Sequence, residues 1–138
     1  MRIRLDLPQR VLFKLPITVR VTDMNYGGHL GNDRLLAYAQ ECRDAWFKGM
    51  GFTELDVEGC NTIMADAAIQ FLEEGYAGDE LEVAMFLGEQ HKYGFDLYYS
   101  ILLSDQKELS RMKTAILFRN DQNKLCAPPE TLLKQLDK

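Results

Sequence analysis

The chain has 138 residues, 46% hydrophobic and 27% charged, a balance that fits one globular domain with its own core and excludes a disordered chain. A net charge of −5 and a pI near 5.0 exclude nucleic acid as the main partner, because a phosphate backbone is held by a basic field. No apolar run reaches the ~18 residues of a membrane span and the opening MRIRLDLPQR lacks an apolar signal core. The three cysteines, Cys42, Cys60 and Cys126, contain no CxxC pair, so the expectation is a soluble cytoplasmic protein with reduced thiols.

Phe13 to Thr22 alternates Ile17, Val19 and Val21 with Thr18, Arg20 and Thr22, the period of a half-buried strand. The strand is expected to end where TDMNYGGHLGND, Thr22 to Asp33, begins. This stretch is longer than a simple connector needs, and it gathers glycines, acids, asparagines and a histidine. After it, helical spacing predicts a helix from about Asn32 to Lys48. Leu35, Leu36, Tyr38, Ala39, Cys42, Ala45 and Trp46 share one face, and Asp33, Arg34, Ala37, Gln40, Glu41, Asp44 and Lys48 share the other. Asn32 is the expected N-cap, Asp33 suits the first turn, and Gly49 and Gly51 end the helix.

Four further strands are expected at about Thr62–Leu72, Glu80–Gln90, Gly94–Ser104 and Glu108–Arg119, separated by turn signals. In the first of them Ile63, Ala65, Ala67, Ile69 and Phe71 are placed on one face, its small alanines turned toward the helix. The tail CAPPETLLKQLDK reads as a Pro-Pro stop and a short amphipathic helix. With no repeat or linker, residues 1–138 are expected to be a single α+β domain, one long helix laid across one curved antiparallel sheet of five to six strands.

Asp23, Gly28, His29 and Asn32 stand as in the pattern D-x-D-x-x-G-H-V-N-N, and Gly78-Asp79 precedes the third strand. On these residues the chain from Phe13 to Phe118 resembles the hotdog-fold thioesterase superfamily, specifically its 4-hydroxybenzoyl-CoA thioesterase-like branch. The resemblance implies a hotdog fold and hydrolysis of an acyl-CoA or acyl-carrier thioester. It also implies an oxyanion site at the start of the helix and an acyl slot shared between two copies of the chain, as a homodimer or homotetramer. Coenzyme A enters as part of the substrate and no separate cofactor is implied. The pattern departs at its third position, usually the catalytic carboxylate and here Asn25, and at its ninth, usually Asn and here Gly31; some acyl-carrier-protein thioesterases of this fold place Asn at the fifth, where this chain has Gly27.

Thioester hydrolysis needs donors for the oxyanion, a group to activate water, and a slot for the acyl chain. Unpaired N–H groups at the helix start, at Gly31 and Asn32, suit the first need. For the second, Asn25 is able only to orient water or polarise the carbonyl. His29 is of the residue type that titrates near ~6.5, suited to base catalysis. Asp33 is a weaker base that equally well complements the helix dipole. His29 also has a structural reading, as a ring tying the loop to a carbonyl. Asp23, Tyr26, Gly27 and Gly28 are the candidate substrate contacts: Asp23 shares a side with Asn25, Tyr26 supplies an aromatic wall, and the glycines admit a carbonyl close to the backbone. Asp23 has an Asx-turn reading as well. Two histidines without an H-x-x-x-H or cysteine partner give no metal motif. Two other readings of the chain stay open: a hotdog that binds acyl-CoA without turning it over, and an acyl-thioester hydratase or dehydratase.

Overall fold

Each apolar alternation in the sequence becomes a strand of one antiparallel sheet. The computed structural model describes residues 1–137. Its order is β1 (Val11–Thr18), a 3-10 turn (Val21–Asp23), α1 (Arg34–Gly49), β2 (Asn61–Phe71), β3 (Glu80–His91), β4 (Gly94–Leu103), β5 (Glu108–Arg119), β6 (Leu125–Cys126) and α2 (Glu130–Leu136). The strands line up as β1-β3-β4-β5-β2, all neighbours antiparallel, with β6 joined to β5 through Phe118↔Cys126 and Arg119↔Leu125. Tight turns join β3 to β4 and β4 to β5, so these pairings are local. The β1–β3 and β2–β5 pairings close over long intervals of sequence.

The α+β expectation and the strand count hold, and the helix is 16 residues long, packed against β1 and β3. Its buried side carries Leu35, Tyr38, Ala39, Cys42, Trp46 and Phe47. Trp46 meets the ring of Phe95 edge-on at 6.4 Å, and Phe95 lies 5.8 Å from Phe118, so the helix is seated on an aromatic cluster of β4 and β5. On α2, Leu132 and Leu136 are buried and close one end of this core.

Three local expectations are corrected. The first strand stops at Thr18, because the Asp23 carboxylate accepts the Arg20 N–H and winds Val21–Asp23 into a 3-10 turn that leaves Val21 exposed. The helix begins at Arg34 with Asp33 in the cap position, and neither Asn32 nor Asp33 caps it through a side chain. On β2 the register slips between Met64 and Asp66, a bulge at Ala65 that reverses the alternation beyond it. Ala65 and Ala67 therefore face solvent on the sheet edge, and the helix lies on the other side of the sheet's order, against β1 and β3.

The end of α1 agrees with its glycine. Gly51 adopts φ 85°, its N–H reaching the Lys48 carbonyl at 3.0 Å, while the Phe52 N–H reaches the Phe47 carbonyl at 2.9 Å. These are the two bonds of a Schellman cap, which needs a left-handed residue at Gly51. Gly51→Ala is expected to cost about 1–2 kcal/mol, the penalty of a Cβ in that region. Urea unfolding of the two proteins, compared at constant slope, measures it.

Candidate active site

The polar loop is held in shape mostly by its own backbone. Asn25 and His29 bond as a tight turn, with the Asn25 N–H donating to the His29 carbonyl at 2.8 Å and the Gly28 N–H to the Asn25 carbonyl at 3.2 Å. Gly28 takes φ 80° at its bend. The Asn25 side-chain oxygen accepts the N–H groups of Gly27 at 2.9 Å and His29 at 3.2 Å. Asn25 thus serves as an Asx-type clasp, its oxygen already committed. Asn25→Ala is expected to lose about 1 kcal/mol with these bonds, whereas Asn25→Asp keeps the acceptor and the stability. Their urea midpoints against the wild type decide this.

Asp23 is likewise engaged. Its carboxylate accepts the Tyr38 hydroxyl at 2.7 Å, tying the loop to the helix, and its backbone carbonyl accepts the Gly31 N–H at 3.0 Å. Burial, and then this bond to Asp23, hold the Tyr38 hydroxyl protonated well above the usual phenol range.

The loop is also fastened to the β2–β3 connection. The Leu30 N–H donates to the Gly75 carbonyl at 2.7 Å, and a Cβ on Gly75 would stand 3.2 Å from Leu30, so the two segments touch at a point that only glycine fits without displacement. Gly78 and Asp79 hold the connection itself: Gly78, at φ 88°, donates its N–H to the Val19 carbonyl, and the Asp79 carboxylate accepts the Tyr76 N–H at 2.9 Å.

Between these segments lies a cleft of about 810 Å³. The loop contributes Asn25, His29 and Asn32, the β2–β3 connection Glu73, Glu74 and Tyr76, and the β4–β5 turn Asp105 and Lys107, while Leu30, Leu35 and Leu109 form an apolar floor. A volume of this order suits a substrate of drug-like size. At its wall the His29 Nε2 sits 3.0 Å from a Glu74 carboxylate oxygen, and the imidazole meets the Tyr76 ring edge-on at 5.3 Å. The pair sets an acidic oxygen beside Nε2 of the imidazole. Glu74 was not among the residues singled out from sequence. The only signal for it there is a pair of acids just ahead of the Gly-Asp turn.

The expected residues therefore divide by place. Asn25, His29 and Asn32 come together on the cleft. Asp33 does not line it, is largely exposed, and lies 3.8 Å from the Arg34 side chain. Tyr26, Gly27 and Gly28 form the exposed tip of the loop, with the Tyr26 ring in full contact with solvent. Of the helix-start amides, Gly31 is bonded to Asp23, while among the described residues no partner accepts the N–H of Asn32. That amide stands at the positive end of α1.

Away from the cleft, Glu89, His91 and Asp96 bring one ligand atom each within 4.8 Å of one another. The His91 Nε2 is 3.1 Å from Asp96, and the Lys113 ammonium lies 3.7 Å from the same carboxylate, so a cation already occupies its field. Among the described residues no helix is long and apolar enough to cross a membrane.

Solved structures share the fold that carries this cleft. The 1,4-dihydroxy-2-naphthoyl-CoA thioesterase of Synechocystis superposes with a TM-score of 0.83 at 18% identity, covering 91% of this chain and 96% of that one. The DHNA-CoA thioesterase of Staphylococcus aureus gives 0.80 at 12% identity, covering 90% and 87%. A Staphylococcus aureus protein solved in complex with CoA gives 0.83 at 14% identity, covering 97% and 85%. At these identities the likeness establishes the fold. No curated protein matches the chain significantly. The sequence model of the thioesterase-like superfamily matches residues 19–136, nearly the whole chain and all of the cleft. The chain belongs to the thioesterase-like superfamily.

Proposed function

We propose that this protein hydrolyses an acyl-CoA or acyl-carrier thioester to the free acid and thiol in the cleft between the loop and the β2–β3 connection. The observation that carries this reading is the meeting, in one cleft, of an unpartnered helix-start amide at Asn32 and the His29–Glu74 pair. In the proposed reaction the thioester carbonyl oxygen lies on the Asn32 N–H, where the helix dipole favours the developing negative charge. His29 takes a proton through Nδ1 from a water that attacks the carbonyl carbon, and Glu74 steadies the imidazolium through Nε2. The tetrahedral intermediate collapses with loss of the thiolate, which receives the proton held by His29. Gly31 takes part as a second donor only by releasing the Asp23 carbonyl, and Asp33 acts on the helix dipole rather than on water. Asp23 supports the site through Tyr38, and Tyr26, Gly27 and Gly28 form a rim for the pantetheine arm. The reaction runs with water and side chains alone, and coenzyme A enters only within the substrate.

The partner in this reading is a second copy of the chain. Beyond Thr62, whose N–H is bonded to the Glu54 carbonyl, β2 is an edge strand that exposes Met64 and Phe71, with Leu72 just past its end, so a two-fold mate gains both backbone bonds and apolar burial there. A tetramer is two such dimers. The acidic, three-thiol composition supports a cytoplasmic setting. The test is thiol release from short, medium, long-chain and aromatic acyl-CoAs by the wild-type protein. Turnover of at least one is expected.

One observation favours a second reading. The Asn25 oxygen is spent on Gly27 and His29, so the position usually held by a carboxylate contributes no base. A protein that binds acyl-CoA at micromolar concentration and releases no thiol at any pH, yet turns over as Asn25→Asp, is a non-catalytic binder.

A further inference from the structure

Two of the three cysteines lie side by side although 66 positions separate them in sequence. Cys60 closes a short turn, its N–H donating to the Val57 carbonyl at 3.1 Å and its carbonyl accepting the Val57 N–H at 2.7 Å, immediately before β2. Cys126 stands in β6, opposite Phe118 of β5, the residue that Thr62 of β2 also pairs with. Their sulfurs are 3.5 Å apart. A disulfide bond is ~2.05 Å long, so closure needs a movement of about 1.5 Å, within reach of side-chain rotation. Both side chains are half-buried, open enough for a small oxidant to reach. Cys42, by contrast, is a fully buried free thiol bonded to the Val83 carbonyl.

We propose that Cys60 and Cys126 are a redox modification site that closes to an intramolecular disulfide when the chain meets a small-molecule disulfide such as oxidised glutathione. One cysteine, as thiolate, attacks a glutathione sulfur, forming a mixed disulfide and releasing one glutathione thiol. The other then attacks the protein sulfur of that mixed disulfide and releases the second. One S–S bond forms and one breaks, the protein pair loses two electrons, and its two protons leave with the two glutathione thiols. Burial, and then the contact with Cys126, push the Cys60 thiol up to about 11, so closure at neutral pH belongs to the slow end of the seconds-to-hours range for such exchange.

Closing the pair has a structural consequence. β6 is held by only two register pairs, and α2 follows it directly. The disulfide ties this tail to the start of β2 and shortens the loop that the unfolded chain is free to explore. The site stands on the sulfur geometry alone and holds whichever reading of the cleft is correct.

The experiment equilibrates the full-length protein overnight in mixtures of reduced and oxidised glutathione. It counts free thiols in denaturant, maps the cross-linked peptide by mass spectrometry and records Tm. Two of three thiols are expected to disappear together with a mass loss of two hydrogens, as a monomeric species on a non-reducing gel, and Tm rises by several degrees. Cys42 stays free throughout. Cys60→Ser and Cys126→Ser each stop at a mixed disulfide with glutathione on the remaining cysteine and show no rise in Tm. Survival of all three thiols under the most oxidising mixture overturns the proposal. So does a cross-link formed only between chains, or an unchanged loss of thiols in Cys60→Ser.

Discussion

His29→Ala is expected to lower kcat for thioester hydrolysis by about 10²–10⁴-fold, the range that a positioned general base supplies. The unfolding midpoint should scarcely move. The ring is held by one carboxylate at 3.0 Å and by an edge contact with Tyr76, both at a partly exposed rim, so little packing is lost with it. Loss of kcat at unchanged stability separates the chemical role from a structural one. Glu74→Gln should fall between wild type and His29→Ala, because the amide keeps the shape of the side chain but no longer offsets the imidazolium charge. Asp33→Ala, at a side chain outside the cleft, should leave kcat within a few-fold of wild type. A result in which Asp33→Ala is inactive and His29→Ala is not would move the base to the other end of the loop.

The largest expected stability effect lies beneath the helix. Arg43→Met should destabilise the protein by about 2–3 kcal/mol, read as a shift in urea midpoint at pH 7, because it leaves the half-buried Glu54 carboxylate without its partner and the buried Tyr99 hydroxyl without its donor. Arg43 is only 6% exposed. Its guanidinium bonds the Glu54 carboxylate through Nε and the Tyr99 hydroxyl at 3.1 Å, and Thr114 donates to that same hydroxyl at 3.4 Å. The network joins α1, the segment after it, β4 and β5. Burial works against the Arg43 charge, but Tyr99 and Glu54 more than restore it and leave the guanidinium above its ordinary range. On Tyr99 burial acts the other way and raises the hydroxyl. Replacing Arg43 and Glu54 together by Met and Leu should recover much of the loss, since no lone charge then remains. Equal destabilisation in the double variant would mean that packing, not charge, is what the pair supplies.

Arg43 also shows where sequence reading reaches its limit. The helical wheel sorted residues by type and found the apolar stripe from Leu35 to Trp46, but a charged residue on the buried side becomes legible only with its partner. Glu54 lies 11 positions away, beyond the helix end, in a segment without period. Strands with strict alternation and a short turn, β3 to β5, could be placed within a residue or so, because local hydrogen bonds set their register. The β2 face could not, since one bulged residue at Ala65 inverts the pattern and nothing in ILE-ALA alternation announces it. β6 has two residues and no pattern to read.

The site divides in the same way. The loop's glycines and its histidine were visible because they break the periodicity on both sides. The turn bond of Asp23 was legible as well, but its reach to Tyr38 and the commitment of Asn25 and the Gly31 N–H to internal bonds were not, because an Asx clasp and a reaching carboxylate use the same residue types. Glu74 reaches His29 only because the Leu30–Gly75 bond joins segments 45 positions apart in the numbering of the chain. That contact is tertiary, and it decides which acid the histidine meets.

A single-turnover reaction in ¹⁸O-labelled water, with protein in excess over whichever acyl-CoA is turned over best, tests the central claim most directly. Water activated by His29 should place one ¹⁸O in the released acid in the first turnover and none in the protein. No acid formed, or an unlabelled acid with the label found in a protein carboxylate, would contradict direct attack by water in this cleft.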